Sequence, residues 1–375
     1  MTRRKASNID VRKVNRINVI RAILACERIS QPELTQQLEI SWPTVLQNVK
    51  ELIDLGLVEE VGAFASTGGR KARAFAPVKD AKLAIGIDIT QNHIGLVLVN
   101  LAGDLIAFTR SKKTFSMDDS YFRELGQAVD RFILSSGYEP DRVTGAGISL
   151  PGIISADGGV INYSHVLGLV NAPARACTKH IKYPCTLIND ANAAGLADMY
   201  GLSEHRNAVY LSLSNSVGGA ILPAGGFYEG DNLRAGEFGH NTLYPAGKTC
   251  YCGKKGCVDP YCSARVLHEH TNGNLNLFFE KLAAGDDKLQ EVWQDYLQDL
   301  SIVINNLRMT FDCDVIVGGY VGGFMEDYIY DLQQLCAKRN TFEQDASYLR
   351  LCKYKLEASA VGAALTGVEK YIIDL

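Results

Sequence analysis

Along the first eighty residues the apolar positions recur every three or four, the interval that gathers them on one face of a helix. Val14, Ile17, Ile20 and Leu24 predict an amphipathic helix from about Val11 to Cys26. Ser30-Gln31-Pro32-Glu33 reads as a capping box with proline in the first turn, starting a short helix through Leu34 and Leu38. Glu39-Ile40 makes a turn, and Ser41 caps a third helix whose Val45, Val49, Leu52 and Ile53 face inward. Gly56 suits the left-handed stop after it. The pattern then shortens: Leu57 to Val61 and Ala72 to Ala76 predict two strands around Ser66-Thr67-Gly68-Gly69-Arg70-Lys71.

Beyond residue 79, buried strands alternate with helices. Lys82 to Thr90, His93 to Asn100 and Leu105 to Lys112 read as strands, the last two joined by a turn at Ala102-Gly103-Asp104. A helix from Tyr121 to Leu134 and a strand from Val143 to Leu150 follow. Pro184 to Ile188 is a strand running into Asn189-Asp190-Ala191-Asn192-Ala193-Ala194, which opens a helix. A long helix (about Leu289 to Thr310), a strand at Val315-Ile316-Val317 and helices near Phe324 to Cys336 and Ala358 to Ile372 complete the chain. This order predicts α/β layers with mixed sheets. No internal repeat or low-complexity tract stands out.

At 375 residues and 47% hydrophobic content the chain is too long for one simple core. No apolar run approaches the roughly 18 residues that span a bilayer, and Met1-Thr2-Arg3-Arg4-Lys5 leads into polar sequence, so a cytoplasmic protein without membrane association is expected. Ten scattered cysteines fit a reducing compartment better than a disulfide framework. The net charge of −4 hides an asymmetry: residues 1–79 carry 13 Lys and Arg against 8 Asp and Glu, leaving +5 on the head and −9 on the rest. A basic head on an acidic body suggests a polyanionic partner for the head alone, or merely a solvated face.

Two short helices joined by a tight turn form a helix-turn-helix plan, in which the start of the second helix meets base edges of double-stranded DNA. Ser41, Trp42, Thr44, Gln47 and Asn48 are the candidates for the major groove. Gln and Asn can bond adenine twice, while Ser and Thr more often hold phosphate. Trp42 could equally lid the core. The strand pair after the helices reads as a wing whose Arg70 and Lys71 enter the minor groove or neutralise phosphates; a flexible polar linker is the alternative.

The chemistry of the body concentrates between Gly236 and Cys262. Gly236-Glu237-Phe238-Gly239-His240 is followed, nine residues on, by Cys250-Tyr251-Cys252-Gly253-Lys254-Lys255-Gly256-Cys257-Val258-Asp259. One imidazole and three thiolates suit tetrahedral Zn²⁺, so His240, Cys250, Cys252 and Cys257 are the metal candidates. Reduced cysteines beside a surface histidine are the alternative. This segment resembles the signature of the ROK family (repressors, open reading frames, kinases), G-E-x-G-H, a spacer, then C-x-C-G-x-x-G-C-x-E. The resemblance implies a structural zinc flooring a sugar pocket, with Glu237 and His240 on sugar hydroxyls. Asp259 stands where the family has a sugar-binding Glu.

The same resemblance covers nearly all of the body and implies an actin-like, two-lobed fold similar to sugar kinases and ribonuclease H. The implied division is a winged helix-turn-helix at 1–78, a first lobe at 79–190 with the closing helix (about 358–375), and a second lobe at 191–357 carrying the zinc loop and dimer surface. Asn189-Asp190-Ala191-Asn192-Ala193-Ala194 resembles the family segment whose aspartate is the kinase general base; here Asp190 and Asn189 would hold a sugar hydroxyl, unless Asp190 is only a helix cap. The kinase glycine loops are altered. Asp88-Ile89-Thr90-Gln91-Asn92 replaces D-x-G-G-T, Ser214-Asn215-Ser216-Val217-Gly218-Gly219-Ala220 replaces G-T-G-x-G-G-G, and Val317-Gly318-Gly319-Tyr320 retains part of a third loop. Val166-Leu167-Gly168-Leu169 stands nearest to N-L-x-G-W, without its Asn or Trp; Ser149, Pro151 and Gly152 would line the pocket edge.

The expectation is a transcriptional regulator, a repressor of carbohydrate genes, that binds its operator as a homodimer or a pair of dimers and responds to a small carbohydrate-like effector. Phosphoryl transfer rests on positioning and charge neutralisation, which the altered loops oppose, so no catalytic residue is expected and Asp190 is a vestigial base. A sugar kinase with a fused DNA-binding head and an effector-independent DNA-binding protein are the alternatives.

Overall fold

Capping serines set where the first helices begin. In the computed structural model, which describes residues 8–63, 72–201, 206–224 and 226–375, α1 spans Asn8–Leu24, β1 Ile29–Ser30, α2 Gln31–Leu38 and α3 Trp42–Asp54. Ser30 and Glu33 close the capping box in both directions, and Ser41 Oγ accepts from the Thr44 amide at 3.4 Å. Glu39 makes the left-handed turn between α2 and α3 (φ 53°), and Gly56 the one after α3 (φ 70°). Strands β2 (Val58–Ala63) and β3 (Arg73–Pro77) pair antiparallel, and β1 adds to β3. The wing tip, with Arg70 and Lys71, lies outside the described residues.

Two inward positions differ from expectation. Val14 is 54% exposed, because α1 buries its residues from Val19 onward. Ile53 lies on the solvent side of Leu52, and Asn48 takes the remaining inward slot beside Val45, Val49 and Leu52.

The first lobe is built on β4 (Leu83–Ile89), β5 (His93–Asn100) and β6 (Leu105–Lys112), followed by α4 (Asp119–Ser135) and β7 (Val143–Leu150). A small antiparallel sheet, β8 (Ile153–Ile154), β9 (Val160–Ser164) and β10 (Leu169–Pro173), grows out here, before α5 (Arg175–Thr178), β11 (Cys185–Asn189) and α6 (Asp190–Met199). The main sheet runs β11-β7-β4-β5-β6, with β5 and β6 antiparallel additions to a parallel β4, β7 and β11. All seven residues of β4 are buried, as a strand covered on both faces requires.

The second lobe repeats the plan. It holds β12 (Ala208–Leu213), β13 (Val217–Leu222), α7 (Asp259–Cys262), α8 (Ala264–His268), α9 (Leu275–Ala283), α10 (Asp287–Phe311), β14 (Asp314–Gly318), α11 (Gly319–Gly322), α12 (Ile329–Arg339) and β15 (Leu349–Leu351). Its sheet runs β13-β12-β14-β15, again an antiparallel hairpin beside parallel strands. Two lobes of this topology are the actin-like plan.

The last helix, α13 (Ala358–Asp374), returns to the first lobe, where it crosses β7, β4 and β5 and packs on α6. The approach to α6 is backbone to backbone: a Cβ on Gly362 would sit 1.6 Å from the Ala193 carbonyl oxygen. The same helix meets the head. Val19, Ile20, Leu34 and Leu52 share one buried cluster with Val97, Val99, Val361, Leu365 and Ile372, and Arg21 Nη2 reaches Glu369 Oε2 at 2.5 Å. Among the described residues no helix is long and apolar enough to cross a membrane.

Candidate functional site

A single 3-10 turn, Phe238–His240, holds His240 beside the cysteine loop. The donor atoms of His240, Cys250, Cys252 and Cys257 all lie within 4.8 Å of one another. Cys252 Sγ is 3.8 Å from Cys257 Sγ, and Cys250 Sγ is 3.9 Å from His240 Nδ1. Zinc–sulfur bonds of about 2.3 Å at a tetrahedral angle put two sulfurs about 3.8 Å apart, so the donor set fits such an ion. The loop doubles back at Gly256 (φ 79°), where a Cβ would meet the Tyr244 carbonyl oxygen at 1.8 Å. The Lys254 amide lowers the Cys252 thiol pKa, while burial raises Cys257 and pushes Cys250 up to about 12. A bound cation reverses that cost by taking the thiolates as ligands. His240 turns Nδ1 to this cluster and Nε2 away, to the Tyr251 hydroxyl at 3.2 Å.

That second nitrogen faces a cavity of about 1150 Å³ between the lobes, lined by Asn189, Asp190, Glu237 and His240 together with Pro151, Gly152, His165, Arg234 and Tyr251. Asp190 sits where β11 passes into α6. The cap of that helix is Asn189, whose Oδ1 accepts from the Ala191 and Asn192 amides at 2.9 and 3.0 Å and whose Nδ2 donates to the Gly152 carbonyl at 3.1 Å. Asn189 therefore lines the cavity with a side chain already engaged in the fold, and Asp190 lines it alongside, its Oδ1 accepting from the Ala191 amide at 3.0 Å. Burial raises the Asp190 pKa to about 6, opposed by the Ala191 amide and helped by the negative Glu237; burial likewise raises Glu237. Deeper in the same lobe, burial raises Asp88 to about 7, although the Ser149 hydroxyl donates to it at 2.9 Å. A carboxyl group accepts from a hydroxyl when ionised and donates to one when protonated, and burial brings the second state within reach.

Two expected pocket residues lie outside the lining. Asp259 is buried at the start of α7, where its Oδ1 accepts from the Val217 amide at 2.7 Å. Ser149 is fully buried under Asp88. Their neighbours Pro151 and Gly152 do line the cavity.

Thr90 Oγ1 accepts from the His93 amide at 3.0 Å and closes the first hairpin turn. Arg110, on β6 of the first lobe, donates to the Tyr320 hydroxyl of the second lobe at 3.1 Å, its guanidinium carbon 5.2 Å from the ring centre. This pair joins the lobes beside Asp88 and the turn after β14.

On the head, Ser41, Trp42 and Gln47 are exposed at the start of α3 and Thr44 is half-buried. Trp42 is 49% exposed, which removes the core-lid alternative. Ser41 and Thr44 share a hydroxyl hydrogen bond at 2.8 Å, and Gln47 Nε2 donates to Glu51 Oε1 at 3.3 Å. Asn48 departs from expectation: it is buried and donates Nδ2 back to the Thr44 carbonyl at 2.8 Å, so it does not face a base edge. Leu46 and Lys50 share the exposed side instead.

The ROK family model matches residues 84–368, and a winged helix-turn-helix DNA-binding model matches residues 13–59. The chain belongs to the ROK family. Among its ROK relatives, a protein named putative xylose repressor from Caldicellulosiruptor sp. (strain Rt8B.4) is 26% identical over 357 residues, covering 88% of each chain. The DNA-binding transcriptional dual regulator NagC of Escherichia coli (strain K12) is 25% identical over 284 residues, 75% of this chain and 70% of that one. Among solved structures, a ROK family transcriptional regulator described as a homolog of the E. coli MLC protein has a TM-score of 0.75 at 20% identity, over 97% of this chain and 100% of that one. A ROK hexokinase from Thermus thermophilus has a TM-score of 0.62 at 25% identity, over 77% and 99%. The likeness to the regulator takes in the head as well as both lobes.

Against this ROK frame, the sequence reading missed His165 and Tyr251. Tyr251 lies between two donor cysteines and His165 just before Val166-Leu167-Gly168-Leu169, so proximity to those motifs was the available signal.

Proposed function

We propose that the protein is a DNA-binding transcriptional regulator of carbohydrate genes, a repressor, whose operator affinity changes when a small carbohydrate-like effector fills the cleft. The observation that carries this reading is the shared core: α13 packs on α6, whose first residue is the cavity's Asp190, and on α1 of the head. A displacement of α6 or α13 on ligand binding therefore reaches the DNA-binding helices through packed side chains. An effector acts by as much as it prefers one arrangement over the other. Relatives named putative xylose repressor and N-acetylglucosamine repressor support a sugar effector.

Zinc, held by His240, Cys250, Cys252 and Cys257, would fix His240 so that Nε2 keeps its place in the cavity; its role is structural. One winged helix reads too few base pairs to stand out in a genome, so the protein binds as a homodimer on a two-fold site, with residues 1–78 as the reading head. Ser41, Trp42, Thr44 and Gln47 read or position the major groove, and Arg70 and Lys71 the wing contact. The Arg110–Tyr320 pair and the side chains in the former glycine loops favour a protein that does not transfer phosphate.

Selecting an operator from random duplexes with the full-length protein, then titrating it with sugars, tests the reading. Metal analysis of purified protein tests the zinc: Cys252→Ser should lose metal and thermal stability together. Sugar-dependent ADP release above about 1 s⁻¹ would instead make it a working kinase with a fused head.

A further inference from the structure

We infer that His165 and Tyr251 form a gate over the sugar end of the cleft, one ring from each lobe, which an effector must part before it can reach His240. The inference rests on the reading of the cavity as an effector site and adds how that site opens. His165 lies in the turn between β9 and β10, on the small sheet that grows out of the first lobe. Tyr251 lies between Cys250 and Cys252 in the second lobe. Their ring centres are 4.4 Å apart with planes inclined by 12°, a stacked pair that crosses the cavity both residues line.

Tyr251 has a second contact that makes the pair more than a wall. Its ring stands edge-on to His240 at 5.3 Å, and its hydroxyl is 3.2 Å from His240 Nε2. The nitrogen that points into the cavity is thus covered by a group that imitates a sugar hydroxyl. When the rings part, Nε2 is released to the ligand, and the two ring faces are offered to the C–H side of a sugar ring while Asp190 and Glu237 take its hydroxyls. A stack of this kind is worth about a 2- to 12-fold bias in an equilibrium. That is enough to favour the closed arrangement and little enough for a ligand to overcome.

The test uses full-length protein without ligand. Amide hydrogen exchange is compared among wild type, His165→Ala and His165→Phe, over residues 163–169 and 249–255. Removing the ring should speed exchange in both segments by about 2- to 12-fold, and His165→Phe, which keeps a ring, should restore the wild-type rate. Stopped-flow mixing with D-xylose and with N-acetyl-D-glucosamine should show faster association in His165→Ala for whichever sugar binds the wild type. Unchanged exchange in both segments of His165→Ala overturns the gate, as does His165→Phe behaving like His165→Ala. If the wild type binds neither sugar, the effector reading loses its support, while the exchange comparison still decides whether the rings hold the lobes together.

Discussion

Gly362→Ala sets two opposed effects against each other. Alanine in a helix interior is favoured over glycine by roughly 0.5–1 kcal/mol, so an open site would gain stability. At Gly362 the added carbon would stand 1.6 Å from the oxygen, 2.3 Å from the carbon and 2.9 Å from the Cα of Ala193. Ordinary contact begins near 3.4 Å, and backbone atoms of α6 cannot rotate away as a side chain could. The helices must part by nearly 2 Å, and overpacking of this sort costs about 1–3 kcal/mol. The net expectation is a loss of about 1–2 kcal/mol, a fall in melting temperature of about 1–3 °C for a chain of 375 residues at about 2.1 cal/mol/K per residue. Thermal unfolding followed by circular dichroism measures it. Since α6 carries Asp190 and α13 reaches the head, the variant should also show a weaker effect of sugar on operator binding. A melting temperature equal to or above wild type would refute the close packing on which the coupling depends.

Three further outcomes follow from the same geometry. Asp88 titrates near pH 7 in the folded protein, against about 3.8 unfolded. The native state therefore binds the extra proton between these values, and its contribution is present below about pH 4 and lost as pH rises through about 7. Asp88→Asn, which can still accept from Ser149, should flatten the decline of melting temperature between pH 5 and 7.5; an unchanged slope would argue against a buried protonated Asp88. On the head, Trp42→Ala should weaken operator binding measured by fluorescence anisotropy while leaving the melting temperature within about 1 °C, as exposed substitutions usually do. Asn48→Ala should do the reverse, altering stability without changing which operator bases are preferred; a changed base preference would contradict its burial.

Much of this was legible because local chemistry agreed with the fold. Ser30 with Glu33, and Ser41 alone, announced two helices because a capping oxygen satisfies amides that have no other partner. The His240, Cys250, Cys252 and Cys257 spacing announced a donor cluster because so few residues separate the last three that they must share one loop. Periodicity was weaker where packing came from far away. Val14 fits the helical pattern but lies beyond the reach of the core, and Asn48 reads as a base reader although α3 is buried on that side. The β8, β9 and β10 excursion has short, mixed strands without clean alternation, so His165 could not be placed in the cavity from sequence. Asp190 read as either a ligand group or a helix cap, and the turn from β11 into α6 gives the cap to Asn189 instead.

The most direct measurement of the central claim is the affinity of the full-length protein for its selected operator, by anisotropy, with and without a sugar that calorimetry shows to bind. Transmission from cleft to head requires a 5- to 150-fold change, about 1–3 kcal/mol of coupling, and a matching change in sugar affinity when DNA is present. A sugar that binds yet leaves operator affinity unaltered would contradict it.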